Sequence, residues 1–437
     1  MSVDVVLINP RDPSIDRVPF HTIVHSSLDI PPLGLLYIAT VLNEAGFRVK
    51  IFDLNILSSN TPLNDFLKQV EALNPLMIGI SSSTPTIHRA LDIAKRLRKR
   101  MGRKVMIVVG GVHATFRSEE VLHKSYVDLV VRGEGENALL ELARTIASGE
   151  KSLSQINGIS YKRDGQIKHN DPKFLVIKDL DSLPYPDRGL IDIDAYQNPG
   201  IMISSRGCPA RCIFCAAGAF GGHVYRARSA KNVIGEISLL VERWNFKNIF
   251  LVDNTMTIDV KRALELCSLI KESNLDMTWQ CETRINVVNE DLIKAMADAG
   301  CTNIQFGIES GDEKILKEIK KGIKLRAVER TVECCVRHGI KPVCSFIIGH
   351  PSDTIETVGL TIEFGKKLMR MGAEVFFGLL TPFPGTEIFE RRSYYGIRIV
   401  DRDYSKWDLA HAIIETNHLS QLDLLSLLVE TQQEICS

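Results

Sequence analysis

The pattern that most restricts the fold is an alternation of short apolar runs with amphipathic stretches, and it occurs twice along the chain. In the first third the apolar runs fall at residues 3–8, 48–52, 76–80, 105–109 and 127–131. Between or after them, residues 33–45, 63–73, 86–101, 119–124 and 137–147 repeat apolar side chains at helical spacing. Strands that read as unbroken apolar runs must be covered on both faces, so intervening helices predict a parallel sheet. Residues 1–150 are therefore expected to form an α/β, doubly wound, Rossmann-like sheet. The alternation restarts at Gly200, with strands at 201–205, 248–252, 277–281, 303–308, 343–348 and 374–380. Helices are expected at 231–243, 259–272, 290–298, 313–320, 325–338 and 355–371. Such β/α units predict a partial (β/α)6 TIM-type barrel over 200–385, open on one side. Residues 151–199 read as a hairpin turning at Asp164-Gly165, then an irregular linker rich in Pro, Asp and Tyr. The extension 386–437, with apolar helical turns at Leu422–Val429, is expected to cover the barrel mouth or pack on its side.

Composition narrows the class. At 437 residues, 45% hydrophobic and 24% charged, the chain can bury two or three cores, and disorder is not the default. Lys+Arg and Asp+Glu both number 53, so no net field recruits nucleic acid or an anionic membrane. The basic run from Lys95 to Lys104 reads as the solvated end of a helix, where cations complement the dipole. No segment approaches the ~18 apolar residues of a membrane span. Asp4 and an immediate strand do not resemble a signal peptide. A cytoplasmic protein is expected, and its ten cysteines are then thiols or metal ligands, not disulfides.

Both sheet types bind ligands beyond the carboxyl ends of their strands, and the unusual residues fall there. Cys208, Cys212 and Cys215 follow the first barrel strand in the run Arg206-Gly207-Cys208-Pro209-Ala210-Arg211-Cys212-Ile213-Phe214-Cys215. Three thiols on one short loop can converge on a metal centre. That is one fewer than a closed zinc site or an ordinary Fe–S cluster takes. Three readings stand: a cluster with one open iron, a zinc site completed by His223, or three free core thiols. The other barrel strands end in Asp253-Asn254, Glu282-Thr283-Arg284, Gly307-Ile308-Glu309-Ser310-Gly311 and Ile347-Ile348-Gly349-His350-Pro351. Charge leaving an apolar strand is costly unless paired or ligand-bound. Each alone is equally an ion pair or a cap; four at one edge suggest a site. In the first domain the strand ends carry Ser82-Ser83-Thr84, Gly110-Gly111-Val112-His113-Ala114-Thr115 and Arg132-Gly133-Glu134-Gly135-Glu136. Small and hydroxyl residues there let a large ligand approach the backbone, though each loop alone is equally a turn. Cys267, Cys334 and Cys335 fall on helices, Cys301 near a helix end, and Cys281 and Cys344 at strands, all expected as small hydrophobes.

The C-x3-C-x2-C spacing with an aromatic before its last cysteine resembles the signature of the radical SAM enzymes. The motifs Pro31-Pro32-Leu33-Gly34-Leu35, Gly110–Thr115 and Gly133–Glu136 resemble the cobalamin-binding domain that precedes many of those barrels. Together the resemblance covers residues 3–390. It implies a [4Fe–4S] cluster on Cys208, Cys212 and Cys215, with S-adenosylmethionine (SAM) on the open iron. It also implies Phe214, Ile347 and Gly349 at the adenine and Asp253 at the methionine amino group. Glu282 and Glu309 would meet methionine and ribose, with Lys321 as a carboxylate partner. Cobalamin would lie on Ser82, Ser83, Thr84, Gly110, Gly111, His113, Gly133, Glu134 and Gly135. One departure concerns the loop after the first strand, Asp12-Pro13-Ser14-Ile15-Asp16, which lacks the histidine that cobalamin folds use as lower axial ligand. His21 and His25 come later and out of pattern.

The implied activity is reductive cleavage of SAM to a 5′-deoxyadenosyl radical. Hydrogen abstraction from an unactivated carbon of a small molecule or natural-product intermediate follows, with methyl transfer from methylcobalamin. A flavodoxin- or ferredoxin-type donor would supply electrons. The alternative keeps the cofactors but ends in cyclisation, ring contraction or rearrangement. A non-catalytic sensor would lack Asp253, Glu282 and Glu309. A tRNA-modifying methylthiotransferase would carry further cysteines, and residues 1–207 contain none. No nucleic-acid or membrane partner is expected.

Overall fold

The computed structural model describes residues 3–16, 30–56, 62–150, 152–171 and 176–436. His21 and His25 lie outside the described residues. The chain divides into two compact units, one built from Met1–Pro19, His25–Lys178 and Ser182–Pro199, the other mainly from Gly200–Ser437.

In the first unit, β1 (Val5–Asn9), β2 (Val49–Asp53), β3 (Met77–Ser81), β4 (Met106–Gly110) and β5 (Leu129–Val131) run parallel in the order β2-β1-β3-β4-β5. Val5, Val6, Leu7 and Ile8 are all buried, as a central strand covered on both faces requires. Helix Ile87–Met101 turns Ile87, Ala90, Leu91, Ala94 and Leu97 inward at helical spacing. Its basic end is partly used locally: Arg98 pairs with Asp128 and donates to the Val105 carbonyl at 3.0 Å, and Arg100 pairs with Glu71 at 3.2 Å.

Two findings go beyond the sequence pattern. The hairpin β6 (Ile159–Arg163) and β7 (Gln166–His169) turns where both Asp164 (φ 53°) and Gly165 (φ 76°) are left-handed. It joins the main sheet antiparallel to β5, with Ile159, Ser160 and Tyr161 buried against it. The loop expected at 110–115 is in part a helix, Val112–Phe116, and the next helix is Ser118–Leu122. A single helical turn carries no detectable period, so no pattern announces it.

In the second unit, β8 (Ile201–Met202) is followed by an antiparallel ribbon of β9 (Ser205–Arg206) and β10 (Arg226–Ala227). The main sheet adds β11 (Asn248–Leu251), β12 (Thr278–Thr283), β13 (Cys301–Glu309), β14 (Lys341–Ile348) and β15 (Glu374–Leu379). Its six strands are parallel in the order β15-β14-β13-β12-β11-β8, and β8 and β15 remain as edges, which is a partial barrel. Ile304, Phe306, Ile308, Cys344, Phe346 and Ile348 are buried at every second position and form one core with the helices. Trp279, fully buried, donates from Nε1 to the Ala299 carbonyl at 2.8 Å. The first barrel strand ends at Met202, earlier than its apolar run suggests, because Ser204 and Ser205 turn their hydroxyls onto Asp253. Cys301 lies three residues past the end of helix Glu290–Asp298, as expected, and opens β13. The C-terminal helix runs Gln421–Cys436, well past Val429, and buries Leu424 and Leu428. Among the described residues no helix is long and apolar enough to cross a membrane.

Tyr196 donates to Asp53 at 2.8 Å inside the first unit, and burial raises the Asp53 carboxyl above its usual range. Asn9 and the Asn55 amide supply its other donors. Tyr196→Phe removes one donor from a buried carboxyl and should cost about 1–3 kcal/mol. Urea unfolding of the full chain reads this loss; an unchanged midpoint would refute it.

Candidate functional site

The cysteine loop leaves the ribbon strand β9 through Gly207, whose φ of 80° and 2.2 Å gap from a would-be Cβ to the Val224 carbonyl admit only glycine. Downstream, the Ile213 amide donates to the Ile319 carbonyl at 3.2 Å, and the Ile388 amide donates to the Ile213 carbonyl at 2.9 Å. Fully buried Ile213 is thus a peg that sets Cys212 on one side and Phe214 on the other. All three thiols are free; Cys208 and Cys212 are buried, and Cys215 is exposed. Burial of its thiol among surrounding protein pushes Cys215 up, and it lies within electrostatic reach of Cys212, Lys321 and Cys208. Cys208 Sγ sits 3.6 Å from Thr255 Oγ1, and Arg284 Nη1 donates to Cys212 Sγ at 3.3 Å.

This donor set fits a three-thiol iron–sulfur cluster. The thiols are unbridged and lie on one pinned loop, and a guanidinium N–H points at one sulfur, the type of contact that tunes such clusters. The zinc alternative draws no support from His223, whose Nδ1 lies 3.1 Å from the Ala210 carbonyl and braces the loop. A Cβ on Gly218 would come within 2.6 Å of that nitrogen, so glycine leaves the ring its place.

Around the loop the strand ends converge. Phe214 meets His350 with ring centroids 5.8 Å apart. His350 follows Gly349 (φ 95°), and the Asp353 carboxylate accepts from both backbone amides at 3.0 and 2.9 Å. Burial pushes Asp353 up to about 6 and His350 down to about 4, so the imidazole is neutral at pH 7. His350 Nε2 faces the Glu309 carbonyl at 3.4 Å, while Nδ1 is buried with no hydrogen-bond partner among the described residues. Ile347 is half-buried on β14 against the core. Glu309 pairs with Lys321 at 2.7 Å, both side chains under a tenth exposed. The pair lies over Gly307, where a Cβ would be 2.3 Å from Glu309 Oε1 and 2.9 Å from Lys321 Nζ. The bulge after Gly307 carries Glu309 at φ 78°, a strained value for a side-chain residue.

Two carboxylates of the same edge differ in kind. Asp253 is fully buried, with the Ser204 amide on one oxygen at 2.7 Å and the Ser204 and Ser205 hydroxyls on the other. It chiefly shapes the first strand end. Glu282 is half-buried; its carbonyl accepts from the Met256 amide at 3.0 Å, but its carboxyl accepts no hydrogen bond among the described residues. Burial, then the Asp253 charge, pushes it up to about 7. Of the two carboxyls, only that of Glu282 is left without donors among the described residues.

At the edge of the first sheet, Ser82 Oγ donates to the Gly110 carbonyl at 2.7 Å, and the His113 amide donates to the Ser82 carbonyl at 3.2 Å. Gly111 (φ 95°) fits there because a Cβ would sit 2.4 Å from that carbonyl. His113 Nδ1 lies 3.2 Å from Thr84 Oγ1, and burial pushes the ring down to about 4. Thr115 Oγ1 accepts from the Gly133 amide at 2.9 Å, tying the β4 and β5 loops together. Ser83, on the same turn, donates its amide to Thr86. Glu134 instead turns to the Ile177 amide at 2.6 Å, and Gly135 packs on Ile38. Apart from His113 and Glu134, the proposed contact positions are all Gly, Ser or Thr, so the edge suits a bulky, flat ligand such as a corrin.

Sequence reasoning missed Arg284, Thr255, Ser204 and Thr115 as site residues. Arg284 and His350 stood in the quoted strand-end segments, but their partners are distant in sequence, 72 residues for Arg284 and Cys212.

Comparison with known proteins agrees with this division. The B12 binding domain family matches residues 22–143, and the Radical SAM superfamily matches residues 202–365. An uncharacterised methyltransferase of Pyrococcus horikoshii is 34% identical over 91% of this chain and 86% of its own length. The anaerobic magnesium-protoporphyrin IX monomethyl ester cyclase of Rubrivivax gelatinosus is 26% identical over 90% of this chain and 72% of its own. The fold is shared with the radical S-adenosylmethionine methyltransferase TsrM of Kitasatospora setae, solved with cobalamin and a [4Fe–4S] cluster. The TM-score is 0.73 at 19% identity, covering 91% of this chain and 77% of that one.

The folded state keeps a proton on Glu282 up to about 7, which the unfolded chain releases near the usual 4.5. Its stabilising contribution is thus complete below about 4.5 and is lost as pH rises through about 7. Glu282→Gln should flatten the pH dependence of the thermal midpoint across that window; identical slopes in both proteins would contradict the assignment.

Proposed function

This chain belongs to the cobalamin-binding radical SAM enzymes, and we propose that it methylates an unactivated carbon of a small-molecule or natural-product intermediate. The observation that carries the proposal is the pinned loop of three free thiols at the mouth of a parallel partial barrel, whose strand ends also carry the free carboxyl of Glu282.

In this reading residues 1–150 form the cobalamin domain and 200–385 the radical SAM barrel. When bound, the cluster supplies the electron for reductive cleavage of SAM, and cobalamin carries the methyl group. Cys208, Cys212 and Cys215 hold the cluster, and Arg284 orients Cys212 and offsets negative charge there. Phe214, Ile347 and Gly349 border the adenine, and Glu282 receives the methionine ammonium. The Glu309–Lys321 pair offers a carboxylate to the ribose hydroxyls and an ammonium to the methionine carboxylate. Asp253 positions the first strand end through Ser204 and Ser205. On the first unit, Ser82, Ser83, Thr84, Gly110, Gly111, His113 and Gly133 line the cobalamin edge, with burial pushing the His113 ring down to about 4 and so keeping it neutral. A cytoplasmic setting and a flavodoxin- or ferredoxin-type donor complete the proposal. Likeness to a cyclase favours one second reading, the same cofactors used for ring closure.

Anaerobic reconstitution with iron, sulfide and hydroxocobalamin tests the proposal. About four irons per chain, bound cobalt and 5′-deoxyadenosine formation are expected. S-adenosylhomocysteine appearing alongside distinguishes methylation from ring closure. Cys212→Ala should abolish both products; SAM cleavage surviving in that variant would sink the scheme.

A further inference from the structure

On the outer helices of the barrel, three donors unrelated to the site above face one another. Glu290 opens helix Glu290–Asp298; Cys334 lies in the last turns of helix Leu325–Arg337, and His338 caps it. Their ligand atoms all lie within 4.8 Å of one another, with Cys334 buried, His338 half-buried and Glu290 exposed. Cys334 and His338 stand one helical turn apart, a spacing that stacks two side chains on one face. The His338 amide bonds the Cys334 and Cys335 carbonyls, both at 3.1 Å, which fixes that turn.

We propose that Glu290, Cys334 and His338 form a second metal site, for a borderline divalent cation of the zinc type, that clasps these two helices. The thiol, imidazole and carboxylate are the three donor types zinc takes, and a water would fill the fourth position. The independent sign is His338 Nε2, which is shielded from solvent and makes no hydrogen bond among the described residues. Glu290 Oε1 stands off from it at 3.7 Å, too long for a hydrogen bond and spaced as two ligands of one ion are. Arg337 occupies Glu290 at 2.9 Å, and it has a second acid, Glu333, at 3.8 Å to receive it when a cation takes Glu290. Binding releases the Cys334 proton to solvent and involves no redox step.

Zinc alone, titrated into cluster-loaded protein against a competing chelator, is the test. Beyond the iron already present, about one zinc per chain should bind, and the thermal midpoint should rise with it. Cys334→Ser and His338→Gln should each weaken zinc binding about tenfold or more while 5′-deoxyadenosine formation continues. Zinc-edge absorption of the wild-type protein, which needs no variant to fold, should show a single sulfur among nitrogen and oxygen neighbours. Absence of zinc binding, equal binding by both variants, or a shell without sulfur would overturn the site. None of these results bears on the cofactor reading, which SAM cleavage tests separately.

Discussion

Parallel strands bring all their carboxyl ends to one edge, and the chemistry of this chain depends on that constraint. Residues separated by scores of positions become neighbours there because each follows the same end of its own strand. Cys212 and Arg284 meet in this way, and Lys321, past helix Glu313–Glu318, joins them: Arg284 donates to the Cys212 sulfur with one nitrogen and to the Lys321 carbonyl with another. The first unit repeats the rule with different residues, since Ser82, Gly110 and Gly133 follow β3, β4 and β5.

Positioning at that edge is done by buried polar groups, which are costly unless satisfied. Arg228 donates to the Ile203 carbonyl and Glu236, and Arg262 donates to the Ser204 carbonyl. Asp253 then takes the Ser204 amide and two hydroxyls. This network settles the direction in which the chain leaves β8 toward the cysteines. The contrast with Glu282 is instructive: two acids on adjacent strands share one electrostatic environment, yet only one has its donors built in. The one without them carries the raised proton affinity expected of a group awaiting a ligand.

Much was legible beforehand for a physical reason. Continuous apolar strands and amphipathic helices are local signals, so helix Leu63–Leu73 matches its pattern at both ends and Glu290–Asp298 does the same. The C-x3-C-x2-C run is equally local, because one loop supplies all three sulfurs. Signals shorter than a period failed: helix Val112–Phe116 read as a glycine loop, and the terminal helix read as two turns although it continues to Cys436. Membership of the β6–β7 hairpin in the first sheet was equally hidden, since pairing to β5 depends on a partner strand and not on the hairpin's own residues.

Sequence by itself determined the two runs of β/α units, the cysteine loop and the class of edge residues, because periodicity and spacing are properties of neighbouring positions. Only tertiary structure decided which acid is spent and which is free. Asp253 and Glu282 read alike as strand-end carboxylates, and their difference lies in Ser204 and Ser205, brought to Asp253 across the parallel sheet. The same holds for His350, whose burial against Phe214 and Glu309 exists only once the ends of β13 and β14 and the cysteine loop have come together around it. Desolvation and hydrogen-bond partnership are set by what packs around a group, and that information is distributed over the whole fold.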